Sequence, residues 1–369
     1  MTETLFCETT RLTKRDMNHR EMKLVITGGA GFIGSHTAEY FARKGNEVTV
    51  IDNLSRARLL RSGLNMNRNW KYLDSVVKVK KIMGDVSTQP NVLSSVQDCD
   101  VVIHTAAQTA VTSSLVDPIM DMQVNLGGTI NVLEAARKAR SNPFIVFTST
   151  NKVYGDNVNR IPISEDSDSY SFANLHYGVP EDFPIDRTGH TPYGSSKLAA
   201  DIYVQDYAHT YGLKSVVFRM SCIYGTRQYG VEDQGWVAWF TFAVLAGKPV
   251  KIFGNGKQVR DILYVDDLVR GFDAAIVRAK KLKGEVFNIG GGPNNVVSLL
   301  QLLDRLEEFT SRRPRIIFKD WRSHDQKVYV SDIRKAKTVL GWSPKVTIDD
   351  GIQKLVAWAR SKSPLQTSP

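Results

Sequence analysis

The chain has 369 residues, 42% of them hydrophobic and 23% charged, with a formal net charge of +10, the balance of an ordinary globular protein able to bury a large core. No apolar run reaches the roughly 20 residues that a membrane-spanning helix requires, and Met1 to Cys7 lacks the basic and apolar regions of a secretory signal, so a cytoplasmic location is expected. The positive charge sits largely in scattered runs such as Arg137-Lys138-Ala139-Arg140 and Lys280-Lys281-Leu282-Lys283 with no recognition module, which argues against nucleic acid and leaves room for a basic cleft that draws a small anion.

Residues 1 to 21 are polar and aperiodic and read as a mobile extension. The apolar run Lys23-Leu24-Val25-Ile26-Thr27 then enters Gly28-Gly29-Ala30-Gly31-Phe32-Ile33-Gly34. A helix-compatible segment follows to Lys44-Gly45, and Glu47-Val48-Thr49-Val50-Ile51 stops at Asp52. Strand, glycine turn, helix and strand in this order suit a pyrophosphate. Gly28, Gly31 and Gly34 permit a tight turn, close backbone approach and close helix packing, while the helix N-terminus offers unpaired N–H groups. Asp52 is placed to accept hydrogen bonds from an adenosine ribose and would repel a 2′-phosphate, which favours NAD over NADP.

A polar loop, Asn53 to Arg58, precedes the strand Val76 to Met83, which ends in Gly84-Asp85-Val86 beside the expected adenine edge. Val101 to Gln108 is a buried strand and its exit, with small residues such as Ala106 that admit a cofactor; Cys99 just before it is expected to be buried. Three scattered cysteines and seven histidines outside any ligand spacing give neither a disulfide framework nor a metal site. The helix from about Pro118 to Arg140 carries Asn125, and the strand Pro143 to Thr148 opens onto Ser149-Thr150-Asn151-Lys152-Val153-Tyr154-Gly155. This alternation indicates an α/β fold: a doubly wound parallel sheet, covered on both faces, with ligands at the strand C-termini.

From Asp156 to His190 the pattern dissolves into a long polar loop, a length that usually signals function. Thr191-Pro192 has the form of an N-cap followed by proline, opening a helix to about Tyr211, and Lys214 to Met220 is another strand. Further elements are expected at Gly235 to Ala246, Arg260 to Val265, Asp266 to Arg278, Glu285 to Ile289, Val297 to Phe309 and Ile348 to Arg360, mostly forming a smaller second lobe.

Tyr193 and Lys197, four apart, share one face of the helix opened by Thr191-Pro192. A free tyrosine has a pKa of about 10; an adjacent ammonium and a positive nicotinamide ring would lower it and fit the phenol to take a proton from a sugar hydroxyl. Thr150, at the end of the fifth strand, is placed to bond the same oxygen.

With Thr27 to Gly34, His104-Thr105-Ala106-Ala107, Val153-Tyr154-Gly155 and Tyr193-x-x-x-Lys197, the chain from Met22 to Arg360 resembles the extended short-chain dehydrogenase/reductase family of nucleotide-sugar enzymes. Within it the chain is most similar to the CDP-tyvelose (CDP-paratose) 2-epimerases, through Ser149 to Gly155, Arg227-Gln228, Asp233-Gln234-Gly235-Trp236 and Gly254 to Asp261. The resemblance implies a triad of Thr150, Tyr193 and Lys197. It implies an NAD site of Gly28, Gly31, Phe32, Ile33, Gly34, Asp52, Asn53, Asp85, Val86, Ala106, Gln108 and Asn125, together with Tyr193 and Lys197. For the substrate it points to Asn151, Arg219, Arg227, Gln234, Arg260 and Arg322; the planar fork of arginine suits a diphosphate. The implied division is residues 22–220 with about 262–283 for NAD, residues 221–261 and 284–363 for the nucleotide sugar, and a tail of residues 364–369.

The implied reaction is inversion at C2 of a CDP-activated hexose, of the CDP-paratose, CDP-tyvelose or CDP-glucose type. A sugar C–H bond without an adjoining carbonyl is not acidic, so oxidation to a transient ketone and return of hydride to the other face is the workable route, with NAD kept bound. A UDP-hexose 4-epimerase uses the same triad and remains the nearest alternative. A 4,6-dehydratase needs an Asp-Glu pair where this chain has Asn151 and Lys152. A non-catalytic dinucleotide-sensing regulator is disfavoured by the Tyr-Lys pair. The family's habit of associating through helices of the nucleotide-binding sheet leads to an expected homodimer or homotetramer.

Overall fold

The computed structural model describes residues 21–56, 67–88, 90–322 and 324–361. The expected extension (apart from Glu21), the tail and part of the loop after Asp52 lie outside the described residues. Seven strands form the central sheet: β1 (Lys23–Thr27), β2 (Glu47–Asp52), β3 (Val79–Met83), β4 (Val101–His104), β5 (Phe144–Thr150), β6 (Ser215–Met220) and β7 (Glu285–Ile289). Their order is β7-β6-β5-β4-β1-β2-β3 and every pairing is parallel. β4 and β5 are buried along their whole length, as apolar strands must be when helices cover both faces.

Side chains alternate across the sheet and build a core on each face. On one, Leu24, Ile26, Val50, Phe218 and Phe287 pack with Phe41, Leu268 and Phe272 from the helices Phe32–Arg43 and Val265–Val277. On the other, Val25, Ile51, Val102, Phe147 and Val217 meet Val132, Leu133, Ala200 and Val204 from Gly128–Arg137 and Thr191–Tyr211. The chain order reverses at β1 and β4, which opens the ligand crevice at their C-terminal ends.

Glu285–Ile289, which the sequence reading assigned to the second lobe, pairs with Ser215–Met220 as the seventh strand of this sheet. The helix Val265–Val277 returns the chain to the sheet edge as a parallel crossover. The single helix expected from Pro118 to Arg140 is divided into Pro118–Met122, a π-turn Gln123–Gly127 and Gly128–Arg137. The polar stretch after Asp156 is not one open loop: a 3₁₀ run covers Asn151–Arg160, and Ile163–Glu165 pairs antiparallel with Tyr170–Phe172.

The smaller lobe has Val250–Phe253 paired with Ile316–Lys319, and Val259–Tyr264 paired with Val296–Ser298, Val328–Tyr329 and Cys222–Tyr224. The helices Trp236–Leu245, Leu299–Thr310 and Ile348–Ser361 enclose its core around Phe240, Leu302, Leu306, Ile352 and Leu355. Ser298 and Gln301 close a reciprocal capping box at the start of the second of these helices. Among the described residues no helix is long and apolar enough to cross a membrane.

Candidate active site

Gly28, Gly31, Phe32, Ile33, Gly34, Asp52, Asn53, Asp85, Val86, Ala106 and Gln108 line one groove at the strand C-termini. Gly28 has φ +72°, and a Cβ there would stand 2.7 Å from the Ala106 nitrogen; at Gly34 a Cβ would stand 2.2 Å from the Gly28 oxygen. Gly31 caps the helix Phe32–Arg43 without any side-chain hydrogen bond, so the first N–H groups of that helix are open to an anion. Asp52 accepts from the Ala30 amide at 2.9 Å and the Leu54 amide at 2.7 Å, and burial pushes its pKa up. Asn53 donates to Asp85 at 2.7 Å. A cradle that any Cβ would fill, an uncapped helix start and a carboxylate at the second strand end together fit a dinucleotide.

Asn125 does not line this groove. Its Oδ1 accepts from the Gln108 amide at 2.9 Å and its Nδ2 donates to Ser196 at 3.0 Å, so it acts on the groove through Gln108. The groove also includes Leu54, Arg56, Thr109, Gln228 and Gln234, none of which the sequence assigned to the cofactor. Gln234, expected on the substrate side, instead accepts from Arg56 at 2.8 Å and donates to Thr109, joining the loops that flank the groove. Replacing Gln234 by Ala should release bound NAD about tenfold faster, the scale of one hydrogen bond to a charged group. The dissociation rate of NAD from purified protein measures this, and unchanged retention would leave the bridge without a role.

Thr191 opens the helix Thr191–Tyr211 at φ +63°, a conformation that costs a β-branched residue energy. Its Oγ1 accepts from the Gly194 amide at 3.4 Å, and the Tyr193 amide donates to Ser114 at 3.1 Å. This entry turn sets Tyr193 against the end of β5, where the Thr150 hydroxyl bonds the phenol. Burial pushes Tyr193 up to about 12, against the opposing pull of that hydrogen bond. Lys197 donates to the Thr148 carbonyl at 2.7 Å and lies 4.2 Å from the Phe147 ring centre. Burial pushes it down to about 7, opposed by the charges of Asp201 and Asp121. In the protein without its dinucleotide, desolvation of the phenolate and the Asp121 charge outweigh the Thr150 hydrogen bond; the lowering expected from Lys197 together with a positive nicotinamide ring needs that ring in place.

His104, close by, is held between Thr27 at 2.6 Å and Thr129 at 3.0 Å. Burial pushes its pKa down to about 3, so it ties β4 to its surroundings as a neutral ring.

On the substrate side, Asn151 donates to Gln326 at 3.3 Å and joins the end of β5 to the loop that carries Arg322 and Asp325. Arg260 donates to Asp325 at 2.8 Å, and Arg322 donates to Asp233 at 2.8 Å while stacking 4.0 Å from the Phe253 ring centre. Two other arginines are committed elsewhere. Arg219, 4% exposed, bonds Asp201 at 3.0 Å, the Tyr154 hydroxyl at 3.3 Å and the Glu181 carbonyl at 3.0 Å. Arg227 is paired with Glu39 at 2.6 Å and stacked 4.2 Å from Tyr72 on the flank of the helix Phe32–Arg43. Both guanidiniums are ion-paired in the protein without substrate, as those of Arg260 and Arg322 are, and Nε and Nη2 of Arg227 are buried without a hydrogen-bond partner among the described residues.

Residues 24–290 match the model of the NAD dependent epimerase/dehydratase family. CDP-paratose 2-epimerase of Salmonella typhi is 41% identical over 347 residues, covering 92% of this chain and 100% of that protein. The structure of a UDP-glucose 4-epimerase from Thermotoga maritima with UDP-glucose is 32% identical, with a TM-score of 0.75, and covers 92% of this chain and 99% of its own. The structure of UDP-glucuronic acid 4-epimerase from Bacillus cereus with UDP-glucuronic acid and NAD is 29% identical, with a TM-score of 0.75 and the same coverage, 92% and 99%. Agreement that runs the length of these enzymes, one of them holding NAD, accounts for the glycine cradle and for Tyr193 above a buried Lys197 alike: the chain belongs to the NAD dependent epimerase/dehydratase family and is an NAD-dependent nucleotide-sugar epimerase.

Proposed function

We propose that the chain inverts C2 of a CDP-activated hexose through a transient 2-keto sugar. The observation that carries this is the 41% identity with a CDP-paratose 2-epimerase along its full length, against 32% and 29% for the two 4-epimerase structures. Bound NAD supplies a hydride acceptor that returns what it takes, and its positive ring favours the phenolate. Tyr193 removes the proton of the C2 hydroxyl and later gives it back. Thr150 holds the same oxygen, and Lys197, fixed on the Thr148 carbonyl, adds positive charge along the path of the proton. Arg260 and Arg322 hold the diphosphate, which leaves the hexose free to turn.

The test is incubation with CDP- and UDP-hexoses in D₂O, with the product followed by NMR. Inversion at C2 without deuterium on that carbon is expected, because the hydride is kept inside the site. Inversion only at C4 would overturn the assignment in favour of a UDP-hexose 4-epimerase, and deuterium at C2 would replace hydride return with proton exchange.

The same reading includes a second copy of the chain. Leu115, Val116, Ile119 and Met122, on Val111–Val116 and Pro118–Met122, and Ile202, Tyr203 and Tyr211 on Thr191–Tyr211 are exposed. Apolar side chains gathered on neighbouring helices support burial in a homo-oligomer.

A further inference from the structure

Lys152 lies two residues beyond Thr150, and its backbone is held at both ends. Its amide donates to Thr150 Oγ1 at 3.2 Å, and its carbonyl faces His190 Nδ1 at 3.5 Å. It borders a small cavity with Asp156, His190, His324 and Gln326. The groups that act on its ammonium are Asp325, Arg260, Cys222 and Asp156, in falling order. Both carboxylates are already engaged: Asp325 accepts from Arg260 at 2.8 Å, and Asp156 pairs with His324. Among the described residues the Lys152 ammonium has neither a hydrogen bond nor a salt bridge. The side chain is half-buried, and desolvation lowers its pKa. A partner supplied by the ligand would remove that cost.

We propose that Lys152 receives the β-phosphate of the nucleotide sugar and so sets which sugar carbon meets Thr150 and Tyr193. The inference deepens the C2 reading and rests on it. In a nucleotide sugar the diphosphate is attached at C1. When the C2 hydroxyl lies on Thr150 and Tyr193, the next carbon carries the β-phosphate, which must then lie beside the catalytic strand end. When the C4 hydroxyl lies there, the phosphate points away across the ring. A cation rooted two residues from Thr150 and neighbouring Arg260 serves the first register and has no phosphate to meet in the second. In a dehydratase an acid and a base would fill positions 151 and 152; here an amide tethers the loop and an ammonium waits for an anion.

The experiment compares CDP with CMP as ligands of the NAD-loaded protein, by calorimetry, for the wild type, Lys152→Met and Lys152→Arg. CMP lacks the β-phosphate and reports whether the pocket is still intact. Lys152→Met should weaken CDP about ten- to hundredfold, the scale of a charge-assisted hydrogen bond, and leave CMP within about twofold. Lys152→Arg, which keeps the charge, should hold CDP within about threefold of the wild type. Equal weakening of CDP and CMP, no weakening of either, or loss of CDP affinity in Lys152→Arg would overturn the contact. NMR of the wild-type product is read separately. Inversion at C4 alongside a CDP-specific loss would remove the C2 reading and the register argument while retaining the phosphate contact.

Discussion

Tyr193→Phe should lower turnover by about 10³-fold, within the range ascribed to a positioned acid or base, and leave NAD bound. No neighbouring group can take over. His104 is a neutral ring engaged on both sides. Thr150 is an ordinary alcohol, and the Lys197 ammonium is directed at the Thr148 carbonyl. The pH dependence follows from the same pair. Tyr193 is pushed up to about 12 and Lys197 down to about 7, so the basic form of the site is gained as pH rises. The kcat/KM of the wild type should climb from acid toward neutral pH as the pair, with NAD⁺ beside it, gives up one proton. The Phe variant should show a flat residual rate, because nothing is left whose deprotonation it needs. Product formation by NMR and NAD content after gel filtration are the two measurements. Wild-type turnover in Tyr193→Phe would remove the phenol from the mechanism, and loss of NAD would make it a structural residue of the groove.

What the sequence made readable is what acts locally. The turn from Gly28 to Gly34 needs its glycines because of contacts between neighbours, at 2.2 Å from a Gly34 Cβ to the Gly28 oxygen. Tyr193 and Lys197 lie on one face by helical spacing alone. Partners chosen over long separations were not readable. Gln234 meets Arg56 across 178 positions, and Arg227 meets Glu39 across 188; a glutamine or arginine beside the right motif looks the same whether it faces a ligand or a carboxylate. Glu285–Ile289 has the alternation of any short strand, and only its pairing with β6 assigns it to the large sheet. The rise of the Tyr193 pKa in the protein without its dinucleotide was not readable for the same reason: a neighbouring charge is local and visible in the sequence, whereas desolvation belongs to the whole packed site.

Arg219→Met should destabilise the fold by about 3–5 kcal/mol, the range for removing one member of a buried ion pair. Asp201 is fully buried. It accepts from Arg219 at 3.0 Å and 3.3 Å, from Ser149 at 2.7 Å and from Gln205 at 2.6 Å. Without the guanidinium that carboxylate keeps two neutral donors and loses its hydrogen-bonded counter-charge, leaving only the non-bonded charge of Lys197. The Tyr154 hydroxyl and the Glu181 carbonyl lose a donor at the same time. Arg219→Lys should recover only part of the loss, since one ammonium cannot span Asp201, Tyr154 and Glu181 as a planar fork does. Urea unfolding of both variants, together with the KM of the surviving folded protein, separates the two roles proposed for this residue. A structural arginine lowers the midpoint and leaves KM near the wild-type value, because its bonds go to Asp201, Tyr154 and Glu181 and none depends on the substrate. An unchanged midpoint with a raised KM would return Arg219 to the substrate's diphosphate.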